Sequence, residues 1–438
     1  MRASKRNPLP DAPLELSDPI TLPAGEVPGA QVLAELDPEH AVILFDVLRV
    51  ASTWAADAGR RGWYAPRLLR RWEHEVLTGT LDEHLRSAVG VLLGELVHPE
   101  SSDSRQLSLC CLQISEWALQ RQAVETSLEF NRLAALVWPS NARLAYVAGR
   151  RYGGVSRFKE ADIWLRRAAR IARWYADWEA YADALTSIGM LAYRQGSIPR
   201  ARTFLDRALR VARRRGLRRL EGEILHDRFT VAFTSREKTD AEALARGAYE
   251  RYLPAHERLP ALAYDVAYYW LTRGYAGRAL RVLRLLRPHF PHPEAQFQVL
   301  CAAVRAAGAV GDRPAFGALW LDANGLMERA RNSPAFSIAL IDLGYGAAHV
   351  GEWANAEAVF IRAETVARAK GQAEDSVRAE MALQAVRRRE NPDTLPPLRA
   401  AAASTELGRD LVSHLSGASA ASTEGQDGPP PHEMGANQ

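Results

Sequence analysis

Residues 185–208 read LTSIGMLAYRQGSIPRARTFLDRA, with Gly189, Ala192, Gly196, Ala201, Leu205 and Ala208 in fixed order. The same order returns along the chain. Residues 149–168, GRRYGGVSRFKEADIWLRRA, place Gly149, Tyr152, Ala161, Leu165 and Ala168 at the matching offsets. Residues 344–363, GYGAAHVGEWANAEAVFIRA, do so with Gly344, Ala347, Gly351, Ala356, Phe360 and Ala363. Residues 267–286 give Ala267, Trp270, Gly274, Ala279, Leu283 and Leu286. Two weaker copies start at Phe229 (Ala232, Ala241, Ala245, Ala248) and at Val304 (Ala307, Gly311, Trp320, Ala323). The start points 149, 189, 229, 267, 304 and 344 are 40, 40, 38, 37 and 40 residues apart. Such self-similarity at a fixed period marks a repeat architecture.

Packing explains the pattern. The first small residue lets one helix, A, approach the next, B. The residue three positions on shares its face. The glycine near the turn relaxes the backbone between the two helices. The alanine on B is the close-contact point, and the Leu or Phe four residues later fills the space beside it. One such hairpin cannot bury its apolar face alone, whereas stacked hairpins can.

The composition agrees. The chain has 438 residues, 47% of them hydrophobic and 25% charged. Ala, Leu and Arg dominate, and these are strong helix formers. Net charge is +4, from 56 basic and 52 acidic residues, which permits an acidic partner without demanding nucleic acid. The three cysteines, Cys110, Cys111 and Cys301, read as reduced, buried thiols. The N-terminus has early basic clusters but no apolar core after them, so it does not read as a signal peptide. The best apolar run, AVILFDVLRVA at 41–51, is broken by Asp46 and Arg49, short of what spans a bilayer. These features predict a soluble, cytoplasmic protein with no membrane partner.

Residues 1–36, rich in proline and acidic residues, are expected to be a mobile N-terminal arm. Residues 37–104 read as a helical cap: Asp37-Pro38 starts one helix, Ala65-Pro66 a second, and Thr78-Gly79-Thr80 separates a third. The repeat array is expected over 105–390, clearest at about 140–372, with 105–138 a degenerate leading pair. A further helix is expected within 391–415, and 416–438 reads as a disordered tail.

The recurring positions resemble the tetratricopeptide repeat, over roughly residues 140–372. The family's usual period is about 34 residues, and here it is nearer 40. The terminal proline of each repeat is mostly missing. The resemblance implies an all-α, right-handed superhelical solenoid of antiparallel helix pairs. Long repeats of this kind resemble those of bacterial peptide-sensing regulators and of some scaffold proteins. In the family the partner lies along the inner face of the A helices. Carried onto this register, the lining positions include Tyr146, Arg150, Thr186, Tyr193, Arg194, His226, Thr230, Tyr264, Tyr268, Cys301, Arg305, Ile341, Tyr345 and His349. Tyrosine and arginine stand out, as at binding hot spots. The strongest candidates for partner binding are Tyr146, Arg150, Tyr193, Arg194, His226, Tyr264, Tyr268, Arg305 and Tyr345. The lysine and asparagine set that clamps a chaperone C-terminus in some members is not found at these positions.

Catalytic signatures are absent: no GxSxG, GxxxxGK[ST] or HExxH occurs. GYGAAHVG at 344–351 begins like a dinucleotide loop, but His349 stands where the third glycine should be, inside a helical repeat. His74, Glu75, Glu83 and His84 invite a metal reading, yet a Thr-Gly-Thr break lies between the histidines, and a solvated surface is the preferred reading. Residues 200–223 hold nine arginines, of which Arg207, Arg210 and Arg214 could share a face. A solvated face ranks first for them, an acidic protein second and nucleic acid last. The sequence thus predicts no enzyme, metal or cofactor. It predicts a scaffold or adaptor binding an acidic peptide or protein segment. The alternatives are a peptide- or ligand-responsive bacterial regulator and, below it, nucleic-acid binding through the arginine-rich helix.

Overall fold

The computed structural model describes residues 29–56, 66–78, 81–98, 101–235, 241–253, 255–393 and 406–424. Of the arm expected over residues 1–36, residues 1–28 lie outside the described residues, as do residues 425–438 of the tail expected over 416–438. Among the described residues there is no strand, and helices pack in successive pairs. The chain divides into two compact units, Met1–Val231 and Ala232–Gln438.

The first unit begins with α1 (Val32–Glu35), α2 (Pro38–Ala56), α3 (Pro66–Thr78) and α4 (Glu83–Val97). Pro38 opens α2 immediately after Asp37, and Asp82 caps α4 by accepting the Leu85 amide at 3.0 Å. Three pairs follow: α5 (Ser104–Gln120) with α6 (Val124–Val137), α7 (Ala142–Gly154) with α8 (Phe158–Trp174), and α9 (Trp178–Arg194) with α10 (Ile198–Arg215). Residues 29–36, which fall in the expected arm, are anchored at two points. Val32 is fully buried, and the Glu35 carboxylate accepts the Glu125 and Thr126 amides at 2.8 and 2.7 Å. It thereby caps the N-terminus of α6, where the helix dipole favours an anion. Helix α11 (Arg218–Thr234) runs across the boundary between the units.

The second unit holds α12 (Ala241–Tyr252), α13 (Leu259–Thr272) with α14 (Ala276–Leu286), and α15 (Pro293–Val310) with α16 (Arg313–Leu326). It continues with α17 (Phe336–His349) and α18 (Trp353–Ala369), then α19 (Ala373–Arg387) and α20 (Glu406–Glu424). The helix expected within 391–415 starts at Glu406 and continues to Glu424, into the stretch expected to be disordered. Leu407, Leu411 and Leu415 recur every four residues and are buried, and α20 packs on α14. Arg246 of α12 pairs with Glu406 and Asp410.

The repeat positions are the helix contacts. A Cβ on Gly149 would stand 2.7 Å from Leu165, and one on Gly189 2.9 Å from Leu205. Ala161, Ala201 and Ala356 are fully buried. At the turn position, Gly196, Gly274, Gly311 and Gly351 all take positive φ, 76° to 84°. In the second unit a further contact joins two A helices directly. Gly344 faces Phe360 of its own pair, while Gly346, two residues on, lies against the backbone of Val304 on α15. A Cβ on Gly308 would stand 2.5 Å from the Gly346 carbonyl oxygen. These glycines bring α15 and α17 into backbone contact, which no bulkier residue would allow.

Candidate functional site

The tyrosines and arginines singled out by register fall into one group in each unit. In the first unit, α5, α7 and α9 present a row of polar side chains. Arg151 of α7 pairs with Glu116 of α5 at 2.8 Å, and Arg143 of α7 with Asp183 of α9 at 3.1 Å. The Tyr146 hydroxyl lies 3.4 Å from both Arg150 and Ser187. Arg143 sits over the Tyr146 ring at 5.0 Å. Arg150 is exposed and has no carboxylate partner among the described residues. Arg194 donates to the Gly153 carbonyl at 3.1 Å, and Tyr193, next to it, is half-buried. A cavity of about 600 Å³ opens beside this row, lined by Arg143, Tyr146, Arg150 and Arg151 and by the apolar Leu119, Val124, Leu128, Val147 and Val155. Burial pushes the Asp183 carboxyl up to about 6. Arg143 opposes this, and Glu223 and Glu179 add to it. His226, also singled out by register, is buried in α11 and has partners within the chain.

In the second unit the predicted residues turn toward one another. Arg305 of α15 is buried and sits over the Tyr345 ring of α17 at 4.8 Å. Its Nη1 donates to Asp342 at 2.8 Å. Its Nε and Nη2 grip Asp393 in a two-pronged contact at 2.7 and 2.6 Å. His349 Nε2 lies 3.0 Å from the same carboxylate, and its Nδ1 lies 3.0 Å from Asn391 Nδ2. The Tyr268 hydroxyl donates to Asp342 at 3.3 Å, and Tyr264 stacks on Tyr268. Burial alone would raise the Asp393 carboxyl, but the hydrogen bonds from His349 and Arg305 outweigh it and hold the group below the ordinary value. Asp342 is raised, because burial outweighs Arg305. Burial also pushes Tyr345 up to about 12 and raises Tyr264 and Tyr268. These tyrosines remain neutral hydrogen-bonding groups at physiological pH. Cys301 is fully buried nearby in sequence, on the same helix.

Three carboxylates and one amide, Asp183, Asp342, Asp393 and Asn391, escaped the register argument. The repeat offsets mark helix–helix contacts and A-helix lining positions. They carry no signal for an acid that pairs with the next repeat. For 391–393 the one available signal was the Asn-Pro step that follows the end of α19.

Several arginines of the arginine-rich helix α10 are engaged by neighbouring side chains. Arg200 pairs with Asp162, Arg213 with Glu221, and Arg207 and Arg215 lie over the Tyr181 and Trp178 rings. Arg210 and Arg214 are exposed and have no partner among the described residues. Among the described residues, no group of three or more His, Cys, Asp or Glu could hold a metal ion. No helix there is long and apolar enough to cross a membrane.

No family model matches the chain, and no curated protein matches it. Among solved structures, it is similar to aspartyl phosphate phosphatase F from Bacillus subtilis. That likeness has 13% identity and a TM-score of 0.47, over 79% of this chain and 95% of the other. It is also similar to a Rap protein complexed with competence and sporulation factor, at 10% identity and a TM-score of 0.34, over 83% of this chain and 99% of the other.

Proposed function

We propose that the protein is a non-enzymatic adaptor of the tetratricopeptide type, which holds an extended acidic peptide or protein segment on the A-helix face of its first unit. The observation that carries this is Arg150. It stands exposed beside Tyr146 at the rim of a cavity of about 600 Å³ whose other walls are mainly apolar. A guanidinium without a carboxylate partner can take one bidentately. Tyrosine covers apolar side chains at low entropy cost. Tyr193 and Arg194 extend the contact along α9. Phosphate recognition on α10 is the weaker reading, since most of that helix's arginines are already engaged. A peptide-responsive regulator is the second reading, favoured by the Asp393 carboxylate held on the A helices of the second unit.

The test uses a fluorescein-labelled, glutamate-rich decapeptide. Arg150→Ala with Arg194→Ala should weaken its binding by about tenfold or more, equivalent to ~1.4 kcal/mol, with an unchanged circular dichroism spectrum. Neutralising Arg210 and Arg214 should leave binding intact. The reverse pattern would move the working surface to α10.

A further inference from the structure

The second unit carries a carboxylate-binding site that the chain fills by itself. Arg305 already has one acidic partner, Asp342, delivered by the close α15–α17 contact at Gly308 and Gly346. That pair is charge-balanced. Asp393 is a second carboxylate on the same guanidinium, and it comes from outside the helices, in the short segment after α19. The receiving groups are arranged for a carboxylate. Two guanidinium nitrogens point the same way, and the Tyr345 ring lies against the guanidinium. With His349 Nδ1 accepting from Asn391, Nε2–H is left to donate to Asp393. The receiving groups lie on rigid helices. By contrast, Asn391–Asp393 is non-helical and exposed at Asn391, and it is held through side chains: the Asp393 carboxylate on Arg305 and His349, and Asn391 on His349. Local opening favours segments of this kind over packed helices.

We propose that Arg305 and His349 form a carboxylate receptor, that Asp393 is its resident ligand in cis, and that an acidic peptide in trans takes the same place when residues 391–393 lift away. The receptor shares no residue with the first unit's face, and neither Arg150 nor Arg194 enters its test. A tethered ligand competes at an effective concentration of about millimolar. The wild-type protein therefore reads as closed to weak acidic ligands, and opening of the segment is the regulated step.

The experiment supplies the segment in trans. The probe is a fluorescein-labelled, C-amidated hexapeptide with the sequence of residues 390–395, Glu-Asn-Pro-Asp-Thr-Leu. Its control has Asn in place of Asp. Asp393→Asn empties the receptor of its carboxylate. That variant should bind the probe at least about tenfold more tightly than the wild type, and should not prefer the control. A variant whose circular dichroism spectrum matches the wild type's but which binds the probe no more tightly would overturn the proposal. Residues 391–393 would then be a structural brace.

Hydrogen exchange on the wild-type protein decides the matter even if the variant does not fold. Millimolar probe should speed exchange of the Asn391 and Asp393 amides several-fold and leave α15 and α17 unchanged. Unaltered exchange at 391–393 would also overturn the proposal.

Discussion

Asp183 links charge, stability and the proposed binding face in one side chain. Burial raises its carboxyl to about 6, and it pairs with Arg143 at the edge of the first unit's cavity. Between about pH 4 and pH 6 the folded chain therefore keeps a proton that the unfolded chain has lost. Stability should fall as pH rises through that window, by on the order of 1–3 kcal/mol, and then level off. Asp183→Asn should flatten that slope, as read from urea midpoints at pH 4.5 and 7. A variant with the wild-type slope would assign the effect to another group. Protonation of Asp183 also frees Arg143, so the two effects share one titration. The sequence showed Arg150 and Arg194 of this face, because the repeat register places them, but not Arg143 or Arg151. It did not show Asp183, which acquires its role only when α7 and α9 come together.

At the scale of the element, the helix contact is the quantity the repeat encodes. Ala201 is fully buried, and its carbonyl oxygen would lie 3.2 Å from a Cβ on Gly189. Ala201→Leu should overpack this contact and cost roughly 1–3 kcal/mol. An unchanged denaturation midpoint would show that α9 and α10 do not meet there. The turn position was equally legible wherever it is glycine. Where it is not, the structure takes the same conformation at a cost. Ser156 has φ 63°, and so does Gln122, between α5 and α6. The leading pair was legible only as degenerate, because its contact is polar. Ser115, Ser127 and Asn131 stand at the offsets of Gly189, Ala201 and Leu205. The Ser115 and Ser127 hydroxyls lie 2.9 Å apart, and Asn131 donates to Ser115 and to the Ser127 carbonyl. A search for small and apolar residues passes over a buried hydrogen-bonded triad that serves the same contact. Residues 29–36 lie in the expected arm, and α20 begins within the helix expected over 391–415. Their order comes from tertiary partners: the N-terminus of α6 for Glu35, and α14 for the leucines of α20.

Across the whole molecule, one repeat chemistry yields two different outcomes. Both units set tyrosine and arginine on their A helices. In the first, Arg150 is left open beside a cavity. In the second, Arg305 is buried against Asp342 and Asp393. The difference lies in close glycine contacts and in a few acids that belong to no repeat position. The central claim is that the first unit's A helices are the binding surface. Mapping hydrogen-exchange protection with the glutamate-rich decapeptide bound tests it most directly. Slowed exchange is predicted along α7 and α9, with α8 and α10 unchanged. That protection should fade as salt approaches about 1 M, where charges are screened within about 3 Å. Protection along α10 with none on α7 or α9 would contradict the account.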